Sequence, residues 1–136
     1  MLGRGTLILT QGGLVPVEDI DEGHRFSLQT DPPHGVCLRR LGEAVLVIEP
    51  RTLVLLEDGR DLVLNPMLRL RTPQGFIEVQ ALHPGTLVLG PRRGVISHVE
   101  PCDPGAMYHF DTLENLVFIL DGVEAQSGKY TREVAK

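Results

Sequence analysis

Apolar and polar positions alternate over short stretches of this chain, with glycine and proline between them. Leu68-Arg69-Leu70-Arg71 and Phe76-Ile77-Glu78-Val79 carry the period of a half-buried strand. Runs rich in Leu, Val and Ile recur at 6–10, 43–49, 51–57, 60–65, 68–72, 75–80, 86–90, 94–100, 108–112 and 116–120. Asp58-Gly59 sits between two of them and predicts a tight hairpin. Thr72-Pro73-Gln74-Gly75 predicts a second, with Pro at the second turn position and Gly at the fourth. The Gln-Gly-Gly at 11–13 predicts a third. No window sustains a helical period; 15–23 has room for one turn, with Pro16 tolerated at its start. Pro32-Pro33 and Gly35 mark a loop within the least regular segment, 28–43. The pattern predicts an all-β single domain over 1–127, followed by a polar tail, 128–136, that is loose or bound to a partner.

Composition narrows this further. A chain of 136 residues suits one domain with a core large enough to fold without disulfides or metal. Aromatic residues are only 4% and Trp is absent, so Leu, Val and Ile must build that core. The net charge of −5, with no basic run, argues against nucleic acid and against an anionic membrane. No apolar run reaches the roughly 20 residues of a membrane helix, and no basic-then-apolar leader opens the chain. Two cysteines do not make a disulfide framework. The expected setting is a cytoplasm, or a virion or phage-like particle into which the protein is assembled.

Three segments, in order, bear a family resemblance. Gly5-Thr6, an apolar run, a Gly turn and then "PVEDI" and "EGHRF" resemble the start of a Hint domain, the fold shared by inteins and hedgehog autoprocessing domains. "LNPMLRLRTPQGFIEVQALHPGTLVLG" resembles its second conserved region, and "YHFDTLENLVFILDGVEAQSG" its C-terminal hairpin, closest to the bacterial Hint subgroup. The resemblance implies a horseshoe of two related curled hairpin arms. It also implies an autoprocessing site, and there the sequence departs from the family.

The family begins with a Cys or Ser nucleophile, and here that position is Met1. A thioether has no proton to lose and forms no acyl intermediate. If Met1 is the natural initiator, nothing precedes it to be processed. The family's Ser or Thr, two residues, then His falls on Asn65-Pro66-Met67-Leu68, and Leu68 neither donates nor accepts a proton. A further family His falls on Asn115 or Leu116. The terminal His-Asn before a Ser, Thr or Cys falls on Ala125-Gln126-Ser127, where Gln cyclises more slowly than Asn and lacks its His. Gly23 is followed by His24 rather than Asp. No catalytic residue is expected.

Other constellations have simpler readings. His34-x-x-Cys37 and His98-x-x-x-Cys102 have metal-like spacing and form a zinc alternative if strands bring them together; otherwise the cysteines are small buried hydrophobes. His109 matches a family position, and in a strand it reads as hydrogen-bonded to a neighbour. Glu18, Asp19, Asp21 and Glu22 read as a solvated turn. The Arg pairs at 38–41 and 91–94 are modest interface candidates.

The expected function is therefore a non-catalytic structural or interaction module without cofactor or metal. Its expected partners are protein or a second copy, with no nucleic acid and no membrane. With only 128–136 beyond the family-like residues, no cargo domain is expected; a bacteriophage tail or capsid accessory protein would fit. Residual self-processing near Gln126-Ser127 and a small zinc module are the alternatives.

Overall fold

The structure is a computed structural model that describes residues 1–10, 13–20, 25–29, 36–40, 45–109 and 117–127. Of these, 25–29, 36–40 and 45 are described by their backbone alone. Among the described residues the chain is strands and turns, with two single-turn 3₁₀ segments at Val17–Asp19 and Val79–Ala81. No described helix is long and apolar enough to cross a membrane.

The strands are β1 (Leu7–Thr10), β2 (Gly13–Pro16), β3 (Arg25–Gln29), β4 (Val36–Arg40), β5 (Val45–Leu56), β6 (Asp61–Leu64), β7 (Arg69–Thr72), β8 (Gly75–Glu78), β9 (Leu87–Val88), β10 (Gly94–His109), β11 (Val117–Leu120) and β12 (Val123–Gln126). All pairings are antiparallel. One sheet runs β2-β1-β3-β11-β12-β7-β8, with β4 on β3 and a further β1–β11 pairing. The other runs β6-β5-β10-β9.

The predicted hairpins form where the turn residues require them. Asp58-Gly59 joins β5 to β6, and Thr72–Gly75 joins β7 to β8. In this second turn Gly75 has φ 108° and Thr72 Oγ1 donates to its carbonyl at 2.8 Å. The β1–β2 hairpin repeats the device: Gly13 has φ 107° and Thr10 Oγ1 donates to Gly13 O at 2.8 Å. Positive φ suits glycine because it carries no Cβ. The likeness continues beyond the turns. Val17 and Val79 are both fully buried, each heading a 3₁₀ turn, and their N–H groups donate to Thr6 O and Leu68 O, each at 2.8 Å. The two hairpin arms are thus one unit used twice, as the resemblance implied.

Two expectations change. The run at 43–49 and the run at 51–57 are one strand, β5, which passes through Pro50. Likewise the runs at 94–100 and 108–112 give the single strand β10, which passes Pro101 and Pro104 and ends its described course at His109. Proline is tolerated there because the ribbon carries irregular register between Cys102 and Gly105. Within the expected loop 28–43, Val36–Arg40 forms β4; the Pro32–Gly35 part lies outside the described residues.

The β5–β10 ribbon turns over along its length. At one end Thr52, Val54 and Leu56 face the core. Toward the other end Leu46 and Ile48, of the same strand parity, are 59% and 74% exposed, while Met107 and His109 opposite Val47 and Val45 are buried. Strand twist and the irregular register produce this exchange of faces. Residues 1–3 insert between the two strand ends: Leu2 exchanges backbone hydrogen bonds with Tyr108, and Gly3 N–H donates to Val63 O. One apolar cluster, with Phe118 its largest fully buried side chain, includes residues of both sheets.

Candidate functional site

The inserted N-terminal segment places Met1 at the centre of the fold. Its side chain is fully buried, and its carbonyl accepts the Asn65 N–H at 3.0 Å. Asn65 then builds the turn that follows. Its Oδ1 accepts the Met67 N–H at 2.8 Å and its carbonyl accepts the Leu68 N–H at 3.0 Å, a use of the amide side chain typical of such turns. Leu68 is fully buried in the same cluster as Met1 and Ala125. Strand β12 pairs Ala125 with Leu70 and Gln126 with Arg69, so Ser127 follows beside Leu68. Gln126 Oε1 accepts from Arg69 Nη1 at 3.2 Å, and Ser127 is fully buried. The tertiary structure therefore brings Met1, Asn65, Leu68, Ala125, Gln126 and Ser127 to one place. Asn115 and Leu116 lie outside the described residues.

Two titratable side chains also reach this centre. The Met1 nitrogen contacts Glu49 Oε1, and Glu49 Oε2 lies 3.9 Å from His109 Nδ1. The two side chains are 12% and 6% exposed, which makes this the one buried carboxylate–imidazole pair among the described residues. Glu49 carries no signal in the sequence beyond being a lone carboxylate that follows the apolar run Val45–Ile48. Its inward aim comes from the turning-over of the ribbon.

Of the four metal-like residues, only His98 and Cys102 have described side chains. Among the described residues no three His, Cys, Asp or Glu side chains gather as ligands. His98 is exposed and contacts Glu100 at 3.3 Å, and Cys102 Sγ lies 3.7 Å from Glu100 O. His34 lies outside the described residues, and Cys37 is described by its backbone alone. Within the acidic turn, Glu18 braces the N-terminal segment. Its Oε1 accepts the Gly5 N–H at 2.8 Å, with Arg4 nearby. Slight burial raises the Glu18 carboxyl, but hydrogen bonds from its own N–H and from Gly5, with the Arg4 charge, outweigh it and lower it.

Beyond the Asn65–Leu68 turn an open cleft of about 440 Å³ lies against the β5–β10 ribbon. Pro66, Leu82, Pro84, Val99 and Pro101 form its walls, and Arg51 and His83 bring the positive and ionisable groups.

No protein-family model matches the sequence, and no curated protein does. Solved structures do match in fold. The solution structure of a bacterial intein-like domain from Clostridium thermocellum superposes with a TM-score of 0.74 at 20% identity, covering 93% of this chain and 97% of that one. The crystal structure of a DnaB intein from Synechocystis matches with a TM-score of 0.71 at 11% identity, covering 93% and 98%. An Msm DnaB1 intein splicing domain bound with zinc matches with a TM-score of 0.69 at 15% identity, covering 93% and 100%. The chain has the Hint fold of inteins.

Proposed function

We propose that this Hint-fold chain is a non-catalytic structural or protein-interaction module, a small subunit of a larger assembly. The observation that carries the reading is the packing of Met1 and Leu68. Both are fully buried in the apolar cluster, and the family resemblance assigns to their positions the nucleophile and the imidazole of self-processing. A thioether and an isobutyl group pack well there, but neither transfers a proton or attacks a carbonyl. A fold keeps its core without keeping its reaction. The exposed Leu46 and Ile48 on the ribbon support an interaction role.

Residual self-processing is the second reading, favoured by Glu49 at the Met1 nitrogen, with His109 beside Glu49, and by buried Gln126 and Ser127. Intact mass separates the two. The purified chain, alone and carrying a short upstream peptide, is expected to keep its full mass through days of incubation. Loss of the upstream peptide, or of the segment after Gln126, would overturn the proposal; Glu49→Gln and Leu68→Ala would then show which groups act. The zinc reading is tested by elemental analysis, where stoichiometric zinc would replace the proposal with a metal module. Light scattering and pull-down test the interaction itself, and a strict monomer with no partner would count against it.

A further inference from the structure

The cleft beside the ribbon has a charge that nothing among the described residues answers. Arg51 Nε donates to the backbone carbonyl of Asp103 at 2.8 Å. The guanidinium lies flat on Gly105, where an added Cβ would stand 2.5 Å from Arg51 Cζ. Among the described residues its terminal nitrogens make no hydrogen bond or ion pair. Arg51 is thus fixed by one bond and a glycine platform, with its two-pronged end unengaged. Among the described residues no carboxylate lines the cleft, although acidic residues outnumber basic ones 18 to 13 in the chain. The remaining walls are apolar, apart from Thr52, Gln80, His83 and Cys102. A volume of about 440 Å³ is within the usual range for a ligand site.

The neighbouring backbone points to what enters. Strand β6 covers β5 only from Thr52 to Leu55. Among the described residues the stretch 45–51 pairs with β10 alone, and none of them covers the N–H and C=O groups of its other edge. Leu46 and Ile48 stand exposed along that edge, and Pro50, which has no N–H to give, ends it at the mouth of the cleft.

We propose that this edge and cleft bind the C-terminal end of a partner polypeptide: an extended apolar segment on β5, with its last side chain in the cleft and its carboxylate on Arg51. The segment runs parallel to β5, because its C-terminus must reach Arg51. Strand addition supplies the backbone bonds and the cleft selects the terminal side chain. A guanidinium with two unengaged nitrogens takes a carboxylate in a two-pronged pair. The inference stands apart from the reading of the Met1 centre, since a self-processing chain would carry the same cleft.

The test uses the full-length, isotope-labelled protein and N-acetyl-Val-Val-Leu as free acid and as C-terminal amide. The free acid is expected to shift the NMR signals of residues 46–52, 80–84 and 99–102, and to bind about tenfold more tightly than the amide, the factor of one charge-assisted hydrogen-bond pair. Arg51→Gln is expected to abolish the preference for the acid, and Arg51→Lys to keep part of it. Gly105→Ala, which retains the charge but displaces the guanidinium, is expected to weaken the acid alone. Signals far from the cleft report whether each variant is folded. Equal binding of acid and amide, shifts confined to other surfaces, or no shift at millimolar peptide would each overturn the proposal.

Discussion

At the scale of single residues, Arg60 shows how a charge can be buried without becoming a site. Its side chain is 5% exposed, and it pairs with Asp58 through Nη2 at 2.7 Å. Nη1 donates to Arg92 O at 2.6 Å and Asp121 O at 2.7 Å, and Nη2 to Arg93 O at 3.0 Å. The side chain ties the β5–β6 hairpin to two distant loops. Arg60→Ala strands these carbonyls and is expected to cost about 3 kcal/mol of stability by urea unfolding, the range for breaking a buried charged network. Hydrogen bonds from the Arg60 side chain and N–H hold the Asp58 carboxyl down at about 2, from an ordinary 3.8. A lowered carboxyl stabilises the fold above its unfolded value and loses that contribution as pH falls through its folded value. Asp58→Asn should therefore lower the thermal midpoint above pH 4 and converge with the unaltered protein near pH 2. Met1 and Leu68 were readable at this scale because a nucleophile or proton carrier is recognised by residue type at a known spacing. Glu49 was not, because nothing local distinguishes an inward carboxylate from an outward one.

At the scale of elements, the turns were legible and the strand lengths were not. Asp-Gly and Thr-Pro-Gln-Gly state their turn geometry in their own residues. Pro50, Pro101 and Pro104 instead suggested breaks, yet β5 and β10 continue through them, since an edge position or irregular register frees proline from a ladder bond. The repeated arm was also in the sequence: Thr10, Gly13 and Val17 recur as Thr72, Gly75 and Val79 at equal spacing. The Thr hydroxyl that closes each hairpin predicts equal effects. Thr10→Val and Thr72→Val should each cost about 1–2 kcal/mol, since Thr72 Oγ1 also accepts the Gln74 N–H at 3.1 Å, as measured by denaturant midpoints at unchanged slope. A much larger loss at one site would show that the two arms bear unequal loads.

At the scale of the whole molecule, both sheets contribute to one apolar cluster, and residues 1–3 lie between strands that are far apart in sequence. Neither arm has a separate core. Urea unfolding followed by far-ultraviolet circular dichroism and by NMR signals from each arm should give coincident transitions, as two-state behaviour requires; separate midpoints would divide the molecule into two units. Alternation, turn residues and the scarcity of aromatics were enough to specify an all-β chain with a Leu, Val and Ile core, because strand period and turn chemistry are local. The resemblance, read residue by residue, was enough to raise the proposal of a non-catalytic chain. Only the tertiary structure decided that Met1, Leu68 and Ser127 meet, that Glu49 turns toward Met1 with His109 beside it, and that Arg51 lines an apolar cleft. Those outcomes depend on how far a long ribbon twists and which of its faces ends inward, and that is set by packing across the whole fold.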